Sequence, residues 1–324
     1  MLNENEQSLI ICLTPLQMLI AEKIIENNGE KKFDLLVISL FDNDKYEYYY
    51  NRLKNKVQKS HYFIYKPSNL INNLKNFLNF KKFYHEKFES KSYSNYYLAS
   101  IDSRHCQYIL SLAGDFNLYT FDDGTANIFP NSIYFIDRKS NYLKRFILKV
   151  LGVNQFTIDL KNRSLKHFTI YKNSENAFKN TFYLPLFSND LNSNLNKKNK
   201  IKLLLGQPLI EYNKKLNYNY INNVISVLNI DLYLPHPRED VGQISSLKDV
   251  EVIQSNLIFE DLVIDILKNK SGNLELYSFT SSAAINCSSL SGVKLFFIYN
   301  DLIASSNVNI YKKIKDLGYS IVRI

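Results

Sequence analysis

The 324-residue chain reads as an α/β protein built from two doubly wound halves. Three observations predict this. Short continuous apolar runs, as expected of strands covered on both faces, alternate with stretches of helical spacing in both halves. A polar stretch without periodicity, residues 188–200, separates the halves and reads as a linker between domains 1–187 and 201–324. Several apolar runs also end on polar corners, and the carboxyl ends of strands are where an open parallel sheet binds ligands.

Composition narrows the classes. Hydrophobic residues make up 45% of the chain, which supports a globular core. The longest apolar runs, Leu9–Leu13 and Leu35–Leu40, are too short to span a bilayer. The acidic, polar N-terminus does not read as a signal peptide, so a cytoplasmic protein is expected. Cys12, Cys106 and Cys287 lack zinc or disulfide spacing and read as reduced core residues. Forty Lys and Arg against 31 Asp and Glu give +9, a balance suited to nucleotide-activated substrates, acidic lipid or an anionic polymer.

In the first half, Ser8–Leu13 is a strand and Met18–Asn28 a helix capped by Thr14 and opened by Pro15. The corner holding Thr14 and Gln17 either lines a cleft or only caps that helix. Strand Phe33–Phe41 leads to Asp42-Asn-Asp44, a helix cap in preference to a metal site. Strand His61–Tyr65 and helix Asn69–Lys87 follow. The latter is an ordinary basic amphipathic helix, with a membrane-surface role as the second reading. Strand Tyr96–Ala99, helix Asp102–Ala113 and strand Phe116–Phe121 then run into Asp122-Asp-Gly-Thr-Ala-Asn127. Adjacent carboxylates Asp122 and Asp123 before a glycine suit general-base chemistry, because like charges raise one pKa. Pro130–Phe135 is a loop, Tyr142–Leu151 a basic helix and His167–Tyr171 a short strand.

In the second half, strand 202–205 runs into Gly206-Gln-Pro-Leu-Ile-Glu211, with Gln207 at the corner and Glu211 near the strand end. Helix Tyr218–Leu228 precedes a strand ending at Leu234-Pro-His-Pro-Arg238. Pro235 and Pro237 restrict the backbone around His236, and Arg238 suits a phosphate or carboxylate. Strand Val250–Gln254 and helix Phe259–Lys268 place Glu260 at a helix start, suited to a ribose or to the helix dipole. Strand Leu274–Phe279 ends at Thr280, Ser281 and Ser282, hydroxyls at a helix start that fit a phosphate. Strand Lys294–Ile298, helix Val308–Lys315 and strand Tyr319–Val322 close the chain. No G-x-G-x-x-G or Walker motif occurs, which disfavours dinucleotide and P-loop enzymes.

Taken together, the Thr14-Pro-Leu-Gln17, Asp122-Asp-Gly, Gly206-Gln-Pro, His236-Pro-Arg and Phe279-Thr-Ser-Ser motifs resemble the bacterial sialyltransferases of glycosyltransferase family 52. The resemblance runs from about Leu9 to the end. It implies a GT-B fold, two Rossmann-like domains facing a cleft, the first on the acceptor side and the second binding the CMP-sugar. CMP-sialic acid is the implied donor and a terminal galactose of a lipooligosaccharide or capsular glycan the acceptor. The implied transfer is inverting and α-2,3, without metal, cofactor or nucleic-acid partner. His236 would be the general acid on the departing phosphate, held by Thr280, Ser281 and Ser282. The base would be Glu211 or, by analogy with related sialyltransferase families, Asp123. Thr14, Gln17, Asp122, Gly206, Gln207, Pro237, Arg238 and Glu260 would surround the substrates. Peripheral contact with the inner membrane and a homodimer fit the resemblance. Another donor such as glucose, or non-catalytic binding of an anionic polymer, is the alternative.

Overall fold

In the computed structural model, which describes residues 7–29, 32–88, 91–136, 142–187, 200–270 and 272–324, apolar β-runs pair side by side as parallel strands. The chain divides into two units, Met1–Leu186 and Phe187–Ile324. Of the expected linker, residues 188–199 lie outside the described residues.

The first unit holds β1 (Gln7–Cys12), β2 (Lys32–Ser39), β3 (Lys59–Ile64), β4 (Asn95–Leu98), β5 (Asn117–Phe121), β6 (Ser164–Thr169) and β7 (Thr181–Tyr183). They form one parallel sheet in the order β3-β2-β1-β4-β5-β6-β7. Leu9, Ile10, Ile11, Leu35, Leu36 and Val37 are fully buried, as expected of central strands covered on both faces. Strand order reverses between β1 and β4. That is a topological switch point, the place where such a sheet leaves a crevice beyond its strand ends.

The second unit holds β8 (Lys200–Leu205), β9 (Leu232–Leu234), β10 (Glu251–Val252), β11 (Asn273–Ser278), β12 (Val293–Tyr299) and β13 (Ser320–Arg323). Their order is β10-β9-β8-β11-β12-β13, again parallel, with the switch point between β8 and β11.

Capping follows the sequence closely. Thr14 Oγ1 accepts the Gln17 N–H at 3.3 Å and Pro15 opens the helix Pro15–Glu26. In the Asp42–Asp44 corner it is Asn43 that caps the helix Asp44–Lys54, its Oδ1 accepting the Tyr46 N–H at 3.1 Å. Strand β7 and the helix Thr157–Arg163 were not expected. A three-residue edge strand is too short to show periodicity, and β6 begins three residues before the expected His167. All three cysteines are fully buried and free. Among the described residues no helix is long and apolar enough to cross a membrane.

One interior residue carries a pH liability. His105, on the helix Arg104–Leu112, lies among aromatic rings, with the centroids of Tyr65 and Phe80 each 4.5 Å away. Its Nε2 is buried with no hydrogen-bond partner. Burial therefore holds its pKa down to about 4. The unfolded chain takes up this proton near pH 6.5 and the folded chain only near pH 4, so stability is full above 6.5 and falls as pH drops through that window. The loss is about 1.4 kcal/mol per pH unit, roughly 3 kcal/mol in all. In urea melts at pH 7 and pH 4.5, the wild type is expected to lose about 2–3 kcal/mol more than His105→Phe. Equal losses in the two proteins refute the assignment.

Candidate active site

In the second unit, the carboxyl ends of β9, β8 and β11 lie side by side and carry the motifs singled out above. Leu205 pairs with Leu234, and Leu204 with Tyr277, so Gly206, His236 and Thr280 all emerge just past one edge of the sheet. The His236 and Thr280 backbones stand about two strand spacings apart, roughly 10 Å.

Gly206 is needed for space. A Cβ there would stand 2.3 Å from Glu239 Oε2 and 2.6 Å from the Tyr233 hydroxyl. The Glu239 carboxylate fills that gap, accepting the Tyr233 hydroxyl at 2.5 Å and the His236 N–H at 2.6 Å. Burial raises the Glu239 pKa, against the pull of those two donors. Sequence reasoning missed Glu239. Its only signal is its place three residues after His236, where a side chain reaches back to a backbone N–H.

The His236 ring is half-buried, and its Nδ1 accepts the Arg238 N–H at 3.1 Å. The proton of the neutral ring therefore sits on Nε2. Burial, then the Arg238 charge, lower the His236 pKa from 6.5, while Glu211 opposes the shift. Burial and Arg238 therefore favour the neutral ring in the free protein. Arg238 also reaches Glu211, Nη1 to Oε2 at 2.8 Å, in an exposed ion pair. Pro237 is exposed between them. A cavity of about 190 Å³, lined by Gln207, Pro208, Leu209, Tyr218, Arg238 and Glu239, opens beside this pair. It suits one ring or a few hydroxyls, since whole drug-sized ligands take about 300 Å³ or more.

Gln207 locks β8 to β11. Its Oε1 accepts the N–H groups of Phe279 and Thr280 at 3.1 and 2.7 Å, and its Nε2 donates to Thr280 Oγ1 at 3.0 Å. The Thr280 hydroxyl proton is left to point elsewhere. Ser281 spends its N–H on Ser278 Oγ at 3.1 Å and makes no side-chain cap on the short helix Ser282–Asn286. Ser281 is half-buried and Ser282 exposed. Hydroxyls and first-turn amides thus gather at one corner.

In the first unit, Asp123 sits at the other switch point. Its Oδ1 accepts Gln17 Nε2 at 2.6 Å, and its Oδ2 accepts Ser100 at 3.3 Å and the Tyr134 hydroxyl at 3.1 Å. Gln17 is itself oriented by the Leu13 N–H at 2.7 Å. Thr14, half-buried at the same corner, caps the helix below. Tyr134 also reaches Asp102 Oδ1 at 3.2 Å. Burial, then the Asp123 charge, raise the Asp102 pKa. Tyr134, Ser100 and Asp102 escaped the sequence reading because no motif links them.

Two expected substrate contacts lie inside the fold instead. Asp122 is fully buried; its oxygens accept His167 Nε2 at 2.8 Å, the Thr169 hydroxyl at 2.7 Å and the Ile170 N–H at 2.7 Å. It joins β5 to β6. Glu260 is 4% exposed and accepts Asn286 Nδ2 at 2.7 Å, tying two helices together rather than facing a ribose. Gly206, Gln207 and Gln17 are likewise buried and act by organising their neighbours.

A family model described as "Glycosyltransferase family 52" matches residues 31–302. A Pasteurella multocida protein named CMP-N-acetylneuraminate:beta-galactoside alpha-2,3-sialyltransferase is 36% identical over 86% of this chain and 86% of its own length. A Haemophilus influenzae protein named N-acetyllactosaminide alpha-2,3-sialyltransferase is 30% identical, covering 98% of this chain and 99% of its own. Among solved structures, a Medicago truncatula protein complexed with UDP-glucose has a TM-score of 0.58 at 9% identity, covering 98% of this chain and 85% of that one. A UDP-glucosyltransferase from Polygonum tinctorium has a TM-score of 0.53 at 11% identity, covering 90% and 79%. These structural likenesses fit the GT-B class of fold. The chain belongs to glycosyltransferase family 52.

Proposed function

We propose that the chain transfers sialic acid from CMP-sialic acid to the 3-hydroxyl of a terminal galactose, with inversion and without a metal. The names of its relatives support the donor, the acceptor class and the linkage. The observation that carries the chemistry is His236, aimed by Glu239 and Arg238 at the strand-end edge that also bears Thr280, Ser281 and Ser282.

In this reading the hydroxyl corner and its amides hold the CMP phosphate. The bond from sialic acid C2 to the phosphate oxygen breaks as the acceptor oxygen attacks from the opposite face. His236 Nε2–H faces the departing oxygen. The phosphate adds negative charge beside the ring, so donor binding raises the imidazole pKa and lets it act as the acid. Glu211 takes the acceptor proton. It serves once an anionic donor group draws Arg238 away and leaves the carboxylate oxygens open. Asp123, whose oxygens already accept three donors, is the alternative base.

Two measurements test this. CMP release is expected with CMP-sialic acid and a lactose-type acceptor, with background release from UDP-glucose; the reverse pattern overturns the donor. Glu211→Gln is expected to lower kcat by roughly 10²–10⁴-fold, whereas Asp123→Asn is expected to lower it by less than about tenfold. The opposite split makes Asp123 the base.

The His236 imidazole, followed by NMR, is expected to titrate below pH 6.5 in the free protein and to move upward when CMP is added. Because the protonated ring is the active form, kcat/KM falls as pH rises through the free-enzyme value. No change of the imidazole titration on saturation with CMP removes His236 from the phosphate.

A further inference from the structure

Arg238 touches both halves of the proposed chemistry. Its backbone N–H fixes the His236 ring through Nδ1 at 3.1 Å, and its guanidinium holds Glu211 Oε2 at 2.8 Å. The ion pair is open to water, its side chains 63% and 48% exposed. The contact runs through a single nitrogen, Nη1, although a guanidinium offers a planar fork of donors that matches a carboxylate two at a time. A pair so exposed is weak, and a better-placed carboxylate exchanges with Glu211 at little cost. Arg238 also borders the cavity of about 190 Å³ beside the pair, which gives such a group room to enter.

The chemistry of the donor supplies that carboxylate. In CMP-sialic acid the anomeric carbon, C2, carries one, so the bond that breaks lies next to a second anion besides the phosphate. The corner of Thr280, Ser281 and Ser282 meets the phosphate with neutral hydroxyls and amides. The charge on C2 still needs a cation. Arg238, tied through its backbone to the imidazole that faces the departing oxygen, is placed to supply it.

We propose that Arg238 determines donor specificity, its guanidinium leaving Glu211 to take the carboxylate on the sugar's anomeric carbon. The inference rests on the CMP-sialic acid reading. Arg238 covers Glu211 in the free site, and the donor uncovers the base as it binds. A nucleotide sugar with a neutral ring brings no anion to that carbon, and Glu211 stays paired. Donor choice and release of the base then follow from one exchange of partners.

The test sets CMP against CMP-sialic acid, which share the phosphate and differ by the sugar. Arg238→Gln is expected to raise the donor KM roughly tenfold or more, with a smaller change in kcat. The CMP dissociation constant, from calorimetric titration, is expected to stay within about twofold, which also shows that the variant is folded. Glu211→Gln removes the competitor for the guanidinium, so the donor KM falls while CMP binding holds. Combining the two substitutions abolishes that gain. Parallel losses of CMP and donor affinity in Arg238→Gln give the guanidinium to the phosphate and overturn the proposal. So does a donor KM that Arg238→Gln leaves unchanged, or that Glu211→Gln does not lower. A wrong donor shows separately, as background CMP release by the wild type, and takes this inference with it.

Discussion

A carboxylate occupies the space where residue 206 would carry its side chain. With no Cβ there, Glu239 slides beneath the end of β8 and meets Tyr233 and the His236 N–H together. Tyr233 is a strand residue fixed by the sheet, so Glu239 transmits the sheet's position to the loop that bears the histidine. Pro235 and Pro237 then limit that loop from either side. The Arg238 N–H selects which ring nitrogen carries the proton. Gly206, Tyr233, Glu239 and His236 thus work as one unit, although only two of them touch the open edge of the sheet.

The acidic pair of the first unit obeys the same economy. Asp122 continues the inward face of β5, where a charge is tolerable only with donors on every side, and it has them in His167, Thr169 and Ile170. Asp123 turns the other way and is left partly open, steadied by Gln17, Ser100 and Tyr134. Adjacent carboxylates therefore end with opposite assignments, one architectural and one facing the crevice at the switch point. Alternation of side chains along extended backbone is what separates them.

How much of the candidate site was legible follows from range. Thr14 as a cap, Pro15 as the opening residue and the strand-end position of the hydroxyl corner all depend on neighbours within a few residues. Those features stood in the sequence and recur in the structure. Glu260 and Asp122 were misread because a carboxylate near a strand or helix end looks the same whether it faces water or an interior donor. Asn286 and His167, the partners that decide it, lie 26 and 45 residues away. Tyr134 and Ser100 were invisible for the same reason.

The amino-acid order by itself determined the alternation of strand and helix, the parallel character of both sheets and the polar corners that end β8, β9 and β11. Each depends on periodicity or local backbone preference, which a contiguous segment expresses alone. Folding decided strand order, and with it the two switch points that gather Gln17 with Asp123 and Gln207 with Thr280. Folding also decided which carboxylates are spent inside and left no residue of the helix Tyr142–Val150 buried. These outcomes hinge on contacts between residues distant in the chain, whose energies no local pattern encodes.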